Sequence, residues 1–254
     1  MPHRRYIYVA DTLNVPYGDK PIEIVRELAI ALTSFLVSLG CESVIMASGT
    51  STVAGLEQAV YQFTETKIYG MIEPGARAAV EASDGPIAVF ATNATARSKY
   101  FTDAIDSISP GRFIVEIGCP KFVPIVESGE HRTSVAYDAA REYVGKLSGA
   151  QFGALILGCT HFPFVSEAIR QALEDSKLEL GRIPLLVDPA KELVRSIIAN
   201  ERHRDDKNNP ACDAPTEFFS TSNPGAFAQQ LENLLTMKDV HVREITLPVP
   251  NYSS

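Results

Sequence analysis

The sequence predicts an α/β protein built on a mostly parallel sheet or sheets. Two observations support this class. Segments with strand-like and helix-like patterns alternate along the 254 residues, and most of the strand candidates are continuous apolar runs. Strands covered by helices on both faces have this continuous apolar character, whereas half-exposed strands alternate apolar and polar residues. Alternating strands and helices are typical of parallel sheets, because parallel neighbours need crossover connections.

The strand candidates are short runs rich in Ile, Val, Leu and Phe. The first is IYVA (7–10), which ends at Asp11. It is followed by SVIMA (43–47), IYGM (68–71), IAVFA (87–91), FIVEI (113–117), FGALIL (152–157) and IPLLV (183–187). The apolar run EFFS (217–220) and a candidate edge strand, VHVREI (240–245), follow near the end of the chain.

Helical patterns fill the intervals between these strands. The clearest helix covers residues 20–39, with Pro21 in its first turn and Gly40 just past its end. Its apolar residues recur at i+3 and i+4 spacing: Val25, Leu28, Ala29, Leu32, Phe35, Leu36 and Leu39. Further helices are expected near 51–62, 75–82, 95–107, 133–148, 163–175, 189–199 and 223–235. The polar segment 200–216 is expected to be a surface loop or crossover.

Composition excludes several classes of protein. No apolar run approaches the roughly 18–20 residues that span a bilayer, and Asp11 interrupts any signal-peptide core. A formal net charge of −8 gives no sign of the basic surface that binds the phosphates of nucleic acid. Motifs for mononucleotide and dinucleotide binding are missing. The four cysteines lack the spacing of a disulfide framework or zinc site, which fits a cytoplasmic protein: Cys41, Cys119, Cys159 and Cys212.

Reactive and polar residues directly follow several of the predicted strands. The carboxyl ends of parallel strands form the rim where ligands bind in open α/β sheets. The residues expected on this rim are Asp11, Ser48, Gly49, Thr50, Asn93, Cys119, Cys159, Thr160 and His161. ASGTST (47–52) and LGCTHF (157–162) resemble one strand–turn–helix unit used twice.

The GCTH segment places a thiol, a hydroxyl and an imidazole side by side. A cysteine at a helix N-terminus beside a histidine has a stabilised thiolate, which can take a proton from carbon or act as a nucleophile. The Thr160 hydroxyl and free backbone N–H groups can hold a carboxylate. The alternative is that Cys159 is a small buried residue and Thr160 caps a helix.

Other candidates carry weaker signals. Asp11 is either a turn residue or a carboxylate that tunes a thiol or a substrate ammonium, with Tyr17 and Gly18 offering backbone groups. SGTST (48–52) is typical of a helix N-cap that cradles an anion. Glu127 is either a solvated loop charge or is held near the rim by the preceding VPIV run. The remaining histidines are interpreted as solvated or structural: His3, His131, His203 and His241.

A set of motifs from about residue 6 to 236 resembles glutamate racemases of the aspartate/glutamate racemase superfamily. They occur in this order: ADTLNVPYGDK, MIEPGARAAV, FATNATARSKYFTDAI, GCPKFVPIVESGE, LGCTHFP and FFSTSNPGAF. The resemblance implies two pseudo-symmetric α/β domains with parallel sheets and a site in the cleft between them. The first would comprise 1–85 and 217–254, and the second 86–216.

The resemblance also implies a function. It is the cofactor-independent interconversion of L- and D-glutamate for peptidoglycan synthesis, by two cysteines on opposite faces of Cα. Matched by motif, Cys159 is the second-domain cysteine, and His161, Asp11 and Glu127 match accessory acid–base positions. The matched substrate-binding residues are Tyr17, Gly18, Gly49, Thr50, Asn93 and Thr160. A small dicarboxylic amino acid is the implied substrate, no cofactor or metal is implied, and a homodimer is allowed.

Two departures from the family pattern fall in the first-domain half of the site. Ser48 stands where the family has its first cysteine, and a serine hydroxyl is a much weaker acid than a thiol. The family also opens with a strand and an Asp-Ser-Gly motif, whereas this sequence matches it from the second strand onward. The sequence therefore predicts a racemase in which the acid–base group on one face of Cα is much weaker than the cysteine on the other face. The alternatives are a single-cysteine decarboxylase-like enzyme and a non-catalytic protein that binds an amino acid.

Overall fold

A computed structural model describes residues 4–147, 150–176, 181–202 and 215–248. His3, His203 and Cys212 lie outside these ranges. The strands are β1 (Ile7–Ala10), β2 (Ser43–Ile45), β3 (Lys67–Tyr69), β4 (Ile87–Ala91), β5 (Ile114–Gly118), β6 (Ala154–Leu157), β7 (Leu185–Val187), β8 (Glu217–Ser220) and β9 (Val242–Glu244). Each strand candidate from the sequence overlaps one of these strands, and β9 lies at a sheet edge as expected.

The helices alternate with the strands. They are α1 (Ile22–Ser38), α2 (Gly49–Gln62), α3 (Ile72–Ala82), α4 (Asn93–Ser98), α5 (Tyr100–Ile108), α6 (Phe122–Glu127), α7 (Ser134–Gly145), α8 (Ser166–Asp175), α9 (Pro189–Arg202) and α10 (Pro224–Leu235). A 3₁₀ turn, Phe162–Val165, precedes α8. Within the described ranges, none of the helices combines the length and apolar character needed to cross a bilayer.

The strands pair in parallel and form separate sheets. One sheet has the order β5-β4-β6-β7, a second has the order β1-β8-β9, and β2 pairs with β3. The chain returns late to its beginning, because Ile7 of β1 pairs with Glu217 of β8. Strands from both ends of the chain therefore share a sheet, whereas residues 87–187 supply another. This grouping gives two α/β units, and the boundaries at 85/86 and 216/217 stay a prediction.

The central strands of the four-stranded sheet are covered on both faces. Every residue of β4 is fully buried, and successive side chains enter opposite layers. Phe90 belongs to the cluster under α7 and α8, whereas Val89 belongs to the cluster under α3 and α5. This two-sided burial explains the continuous apolar run of β4, and it fixes the rim where the reactive residues emerge.

Two helical segments differ from the sequence prediction. The helix expected at 95–107 is divided into α4 and α5 at Lys99, which has a left-handed φ of 63°. This break turns the chain so that Phe101 and Ile105 enter the core without any exposed surface. The loop expected before Glu127 is instead the short helix α6. Its Pro124 is the third helical residue, and proline is tolerated in a first turn.

Candidate active site

Cys159 lies in the turn that follows β6. The Gly158 N–H donates to the carbonyl of Phe90 at 2.7 Å, which holds this turn against β4. The expectation that Cys159 lies at the N-terminus of the α-helix predicted near 163–175 is wrong, because a 3₁₀ turn intervenes and α8 starts only at Ser166. In a 3₁₀ turn residues i and i+3 are eclipsed, so Phe162 and Val165 both point into the core and are fully buried.

His161 connects the thiol of Cys159 to the carboxylate of Glu127. The Cys159 Sγ lies 3.8 Å from His161 Nδ1, and His161 Nε2 lies 2.5 Å from Glu127 Oε1. Burial alone lowers the pKa of His161, but hydrogen bonds with Cys159 and Glu127 outweigh it and raise the pKa to about 9. The same histidine lowers the pKa of Glu127. A protonated imidazole beside the sulfur favours the thiolate of Cys159.

The other described thiols have different surroundings. Cys119 is fully buried, and burial raises its pKa strongly. Burial also raises the pKa of Cys41, which lies away from the rim, between α1 and β2. Cys119 directly follows β5, as expected for a residue at the carboxyl end of a strand, but its side chain is buried in the core. Of the described cysteines, Cys159 alone combines partial exposure with a histidine contact.

Gln230 extends this group and was not found from the sequence. Its side-chain amide on α10 donates to Oε2 of Glu127, the oxygen that does not face His161. The two residues are 103 positions apart in the chain. Gln230 occupies a polar position on an amphipathic helix, and such positions carry no local signal of a tertiary contact.

Asp11 lies at the end of β1 in a buried hydrogen-bond cluster. Its carboxylate accepts from Asn14 Nδ2 at 2.8 Å, Tyr17 Oη at 2.5 Å and Thr221 Oγ1 at 2.7 Å. Asp11 is only 6% exposed, and Thr221 continues β8, the neighbour of β1. Burial and the Asp11 charge raise the pKa of Tyr17, so this phenol stays protonated. The turn and functional readings of Asp11 are therefore compatible.

Ser48 caps the N-terminus of α2, as its sequence context predicts. Its Oγ accepts a hydrogen bond from the backbone N–H of Ser51 at 3.2 Å. The adjacent Gly49 touches the turn before Cys159, since a Cβ at Gly49 would lie 2.7 Å from the carbonyl oxygen of Gly158. The two similar strand–turn–helix segments thus meet at a pair of glycines, with Ser48 flanking one and Cys159 flanking the other.

Three threonine hydroxyls form a cluster beside this contact. Thr50 Oγ1 lies 3.0 Å from Thr92 Oγ1 and 3.4 Å from Thr95 Oγ1. Thr92 also donates to Thr95 at 3.1 Å and caps α4. Thr50 lies in the first turn of α2, whereas Thr92 and Thr95 follow β4. This cluster therefore joins the two halves of the candidate site. The sequence prediction named Thr50 but missed Thr92 and Thr95.

The remaining predicted residues are distributed around the same rim. Gly18 accepts a backbone hydrogen bond from Ala94 at 3.1 Å, and Asn93 Nδ2 lies 3.3 Å from Asp19 Oδ1. Thr160 is exposed. Within the described ranges, no three or more His, Cys, Asp or Glu side chains are arranged to bind a metal ion.

The fold and this site define a class of protein. It is an α/β enzyme with two domains, in which a cysteine–histidine–glutamate group lies near a capped helix N-terminus. More particularly, the chain belongs to the Asp/Glu/hydantoin racemase family, whose model matches residues 2–197.

Individual relatives resemble the chain over nearly its whole length. A glutamate racemase from Streptococcus suis is 32% identical, covering 97% of this chain and 90% of the relative. A solved glutamate racemase isoform from Bacillus anthracis has a TM-score of 0.85 at 25% identity, covering 98% of this chain and 90% of its own. A Thermus thermophilus glutamate racemase, solved with β-chloro-D-alanine, has a TM-score of 0.81 at 29% identity, covering 97% and 89%. The chain is therefore glutamate racemase-like in sequence and fold.

Proposed function

We propose that this protein interconverts L- and D-glutamate, with Cys159 as its only strong base. The observation that carries the proposal is the contact of the Cys159 thiol with His161, whose other nitrogen is paired with Glu127. The substrate class is supported by the glutamate racemases that match almost the full chain. We further propose a cytoplasmic role in supplying D-glutamate for peptidoglycan.

Cys159 begins the reaction as a thiolate. Its sulfur takes the α-proton, so the Cα–H bond breaks, an S–H bond forms, and the electron pair stays on Cα. Delivery of a proton to the opposite face of Cα then gives the other enantiomer. His161 assists by stabilising the thiolate, and Glu127 keeps the imidazole protonated.

Ser48 is the proposed proton donor on the opposite face. Its oxygen accepts from Ser51 through a lone pair, so the hydroxyl proton stays available for a carbanion or a bridging water. Donation leaves Ser48 as an alkoxide, which recovers a proton from water. In the reverse direction Ser48 must ionise before it can take the α-proton, which is far harder for an alcohol than for a thiol. Removal of the α-proton from that face is therefore slow. Asp11 is the proposed accessory acid–base group of this half of the site.

Substrate is held by donors from both halves of the rim. The first turn of α2, with Gly49 and Thr50, offers backbone N–H groups and a hydroxyl to an anionic carboxylate. The other residues proposed to contact the substrate are Tyr17, Gly18, Asn93 and Thr160. The helix N-terminus favours negative charge, which suits a dicarboxylic amino acid on a protein with a net charge of −8.

The test is solvent-deuterium exchange with separate D- and L-glutamate, followed by mass spectrometry. We expect one enantiomer to gain α-deuterium readily, the other to exchange far more slowly, and Cys159→Ala to abolish both. Exchange by neither enantiomer in the wild-type protein would exclude racemisation. Release of carbon dioxide from a malonate-type substrate would instead favour a single-cysteine decarboxylase.

A further inference from the structure

Glu127 is held by two partners from distant parts of the chain. Its Oε1 faces Nε2 of His161, and its Oε2 accepts the amide hydrogen of Gln230. Glu127 ends α6 in the β4–β7 unit, whereas Gln230 lies in α10, which follows β8 beside β1. With one oxygen in each hydrogen bond, the carboxylate plane has a fixed direction.

We propose that Gln230 is a positioning residue that orients Glu127 toward His161 and thereby sustains the reactivity of Cys159. The expected effect on catalysis rests on the proposed function. The orientation of Glu127 by Gln230 does not, because it depends only on hydrogen bonds within this chain. Gln230 acts on the thiol through two intermediates, Glu127 and His161.

The neutral amide suits this position. An amide N–H stabilises the ionised carboxylate without adding a charge that would compete with the imidazolium of His161. In agreement, the bond from Gln230 contributes to the lowered pKa of Glu127, after the larger effect of His161. A Lys here would repel the protonated imidazole, and an Asp or Glu would compete with Glu127 for the proton.

The packing of α10 fixes where the amide points. Phe227 lies one turn before Gln230, on the same face of α10, and its ring stacks on Tyr8 of β1 with centroids 5.7 Å apart. Burial of the Tyr8 hydroxyl and then the charge of Glu127 raise the pKa of Tyr8, so this hydroxyl lies within electrostatic range of the carboxylate. We call the series Cys159, His161 and Glu127 the relay. The polar groups that surround it are Gln230 and Tyr8.

The contact makes the relay depend on the closeness of the two units. If α10 moves away from α6, Glu127 loses one of its two anchors and can rotate away from His161. The proton relay is then complete only when the units are together, which gives the cleft a simple way to couple closure to thiolate formation.

The test compares two glutamines that are adjacent in α10. Gln230→Leu removes the amide while keeping similar volume, and Gln229→Leu is the matched control. Gln229 donates to Glu232 and Asn233 of its own helix and does not belong to the site. The readout is an NMR titration of the His161 ring in the full chain, with His161→Gln used to assign the resonance.

We expect the His161 midpoint in Gln230→Leu to fall by about 0.5 to 1 pH unit, because a freely rotating carboxylate supports the imidazolium less. Gln229→Leu is expected to leave the midpoint unchanged. In the exchange assay, Gln230→Leu should lower kcat several-fold with little change in KM, since Gln230 acts through its hydrogen bond to Glu127.

The possible results separate this inference from the proposed function. A shifted His161 midpoint in a protein without racemase activity would support the positioning role and exclude the function. An unchanged midpoint in Gln230→Leu, or an equal shift in Gln229→Leu, would overturn the positioning role even if the wild-type protein racemises glutamate.

Discussion

The Nε2 atom of His161 lies 2.5 Å from Oε1 of Glu127, and this contact determines what the imidazole can do for Cys159. When His161 is neutral, its Nε2–H donates to the carboxylate and leaves the lone pair of Nδ1 facing the sulfur 3.8 Å away. In that state Nδ1 can accept the thiol proton. Once protonated, the ring faces one anion on each side, so the thiolate and the imidazolium form together.

The stability of the protein should depend on pH through His161. Its pKa rises from an ordinary 6.5 to about 9 on folding, so its contribution is complete below pH 6.5 and is lost as the pH rises through about 9. Glu127 is 41% exposed, and solvent screening therefore limits the contribution to about 1 kcal/mol. The measurement is urea unfolding of the wild type and His161→Gln between pH 3 and 10.

The difference in unfolding free energy between these two proteins should be largest near pH 6 and disappear above pH 9. At the acidic end it should also decline, because Glu127, whose pKa is lowered from 4.5, becomes protonated there. A difference that stays constant from pH 6 to pH 10 would contradict the ion pair and indicate a packing effect of the ring.

Cys159 should be the most reactive thiol. Iodoacetamide reacts with thiolates, and the imidazolium of His161 favours this form, whereas burial raises the pKa of Cys119 and Cys41. We expect Cys159 to be labelled first at pH 6.5 and the rate to fall about tenfold in His161→Gln, because the substitution removes the imidazolium beside the sulfur. Peptide mapping provides the readout, and faster labelling of another cysteine would refute the expectation.

Sequence reasoning identified most residues of the candidate site because they lie close together in local segments. Cys159, Thr160 and His161 are consecutive, and Ser48 caps α2 through its neighbour Ser51. The strands were also predictable, since β4 and β6 are apolar along their whole length. What stayed hidden depends on contacts between distant segments, namely Gln230 with Glu127 and Thr50 with Thr92.

Local geometry was harder to predict where the core overrides propensity. The left-handed Lys99 divides a helical pattern so that Phe101 is buried, and nothing in the identity of a lysine predicts a positive φ. The 3₁₀ turn after His161 places Phe162 and Val165 on one buried face, an arrangement that the sequence also allows in an α-helix. The group beside the Cys159 sulfur is therefore the His161 ring, and the N-terminus of α8 lies seven residues further along the chain.

Gly49 should be intolerant of even a methyl group. A Cβ there would lie 2.7 Å from the carbonyl oxygen of Gly158, and this backbone atom cannot move without displacing Cys159. We expect Gly49→Ala to cost about 1–3 kcal/mol of unfolding free energy and to lower the exchange rate by about a hundredfold, because the two halves of the site separate. Thermal unfolding and deuterium exchange measure these effects.

Gly225 provides the matched control for this substitution. It is also a helical glycine, but a Cβ there would meet no atom within 4 Å. Gly225→Ala should therefore be neutral or stabilise the protein by up to about 1 kcal/mol through helix propensity. If Gly49→Ala behaves like Gly225→Ala, the glycine contact does not constrain the cleft.

Asp11 should be important for stability as well as for the site. Three donors, from Asn14, Tyr17 and Thr221, converge on its buried carboxylate. Asp11→Asn replaces one acceptor oxygen by an NH₂ group that faces a donor, so we expect a loss of about 1–3 kcal/mol. Asp138→Asn on the exposed face of α7 is the control. Equal urea midpoints for both variants would show that the cluster contributes little.

Ser48 should limit proton exchange at the second face of the substrate. Ser48→Cys places a thiol at the N-terminus of α2, where the helix dipole stabilises a thiolate. We expect the slowly exchanging enantiomer to speed up by at least about tenfold, which corresponds to the recovery of about one pKa unit in the barrier. The exchange rate of the enantiomer whose α-proton faces Cys159 should change little. Ser43→Cys, which adds a thiol on exposed β2, is the control.

A double substitution makes this test decisive. Ser48→Cys combined with Cys159→Ser moves the only thiol of the site to the other half of the cleft. The enantiomeric preference of deuterium exchange should then reverse, because the strong base now lies on the opposite face of Cα. Mass spectrometry of separate D- and L-glutamate incubations measures the preference in each variant. An unchanged preference in the double variant would mean that Ser48 does not face Cα and that another group supplies the second proton.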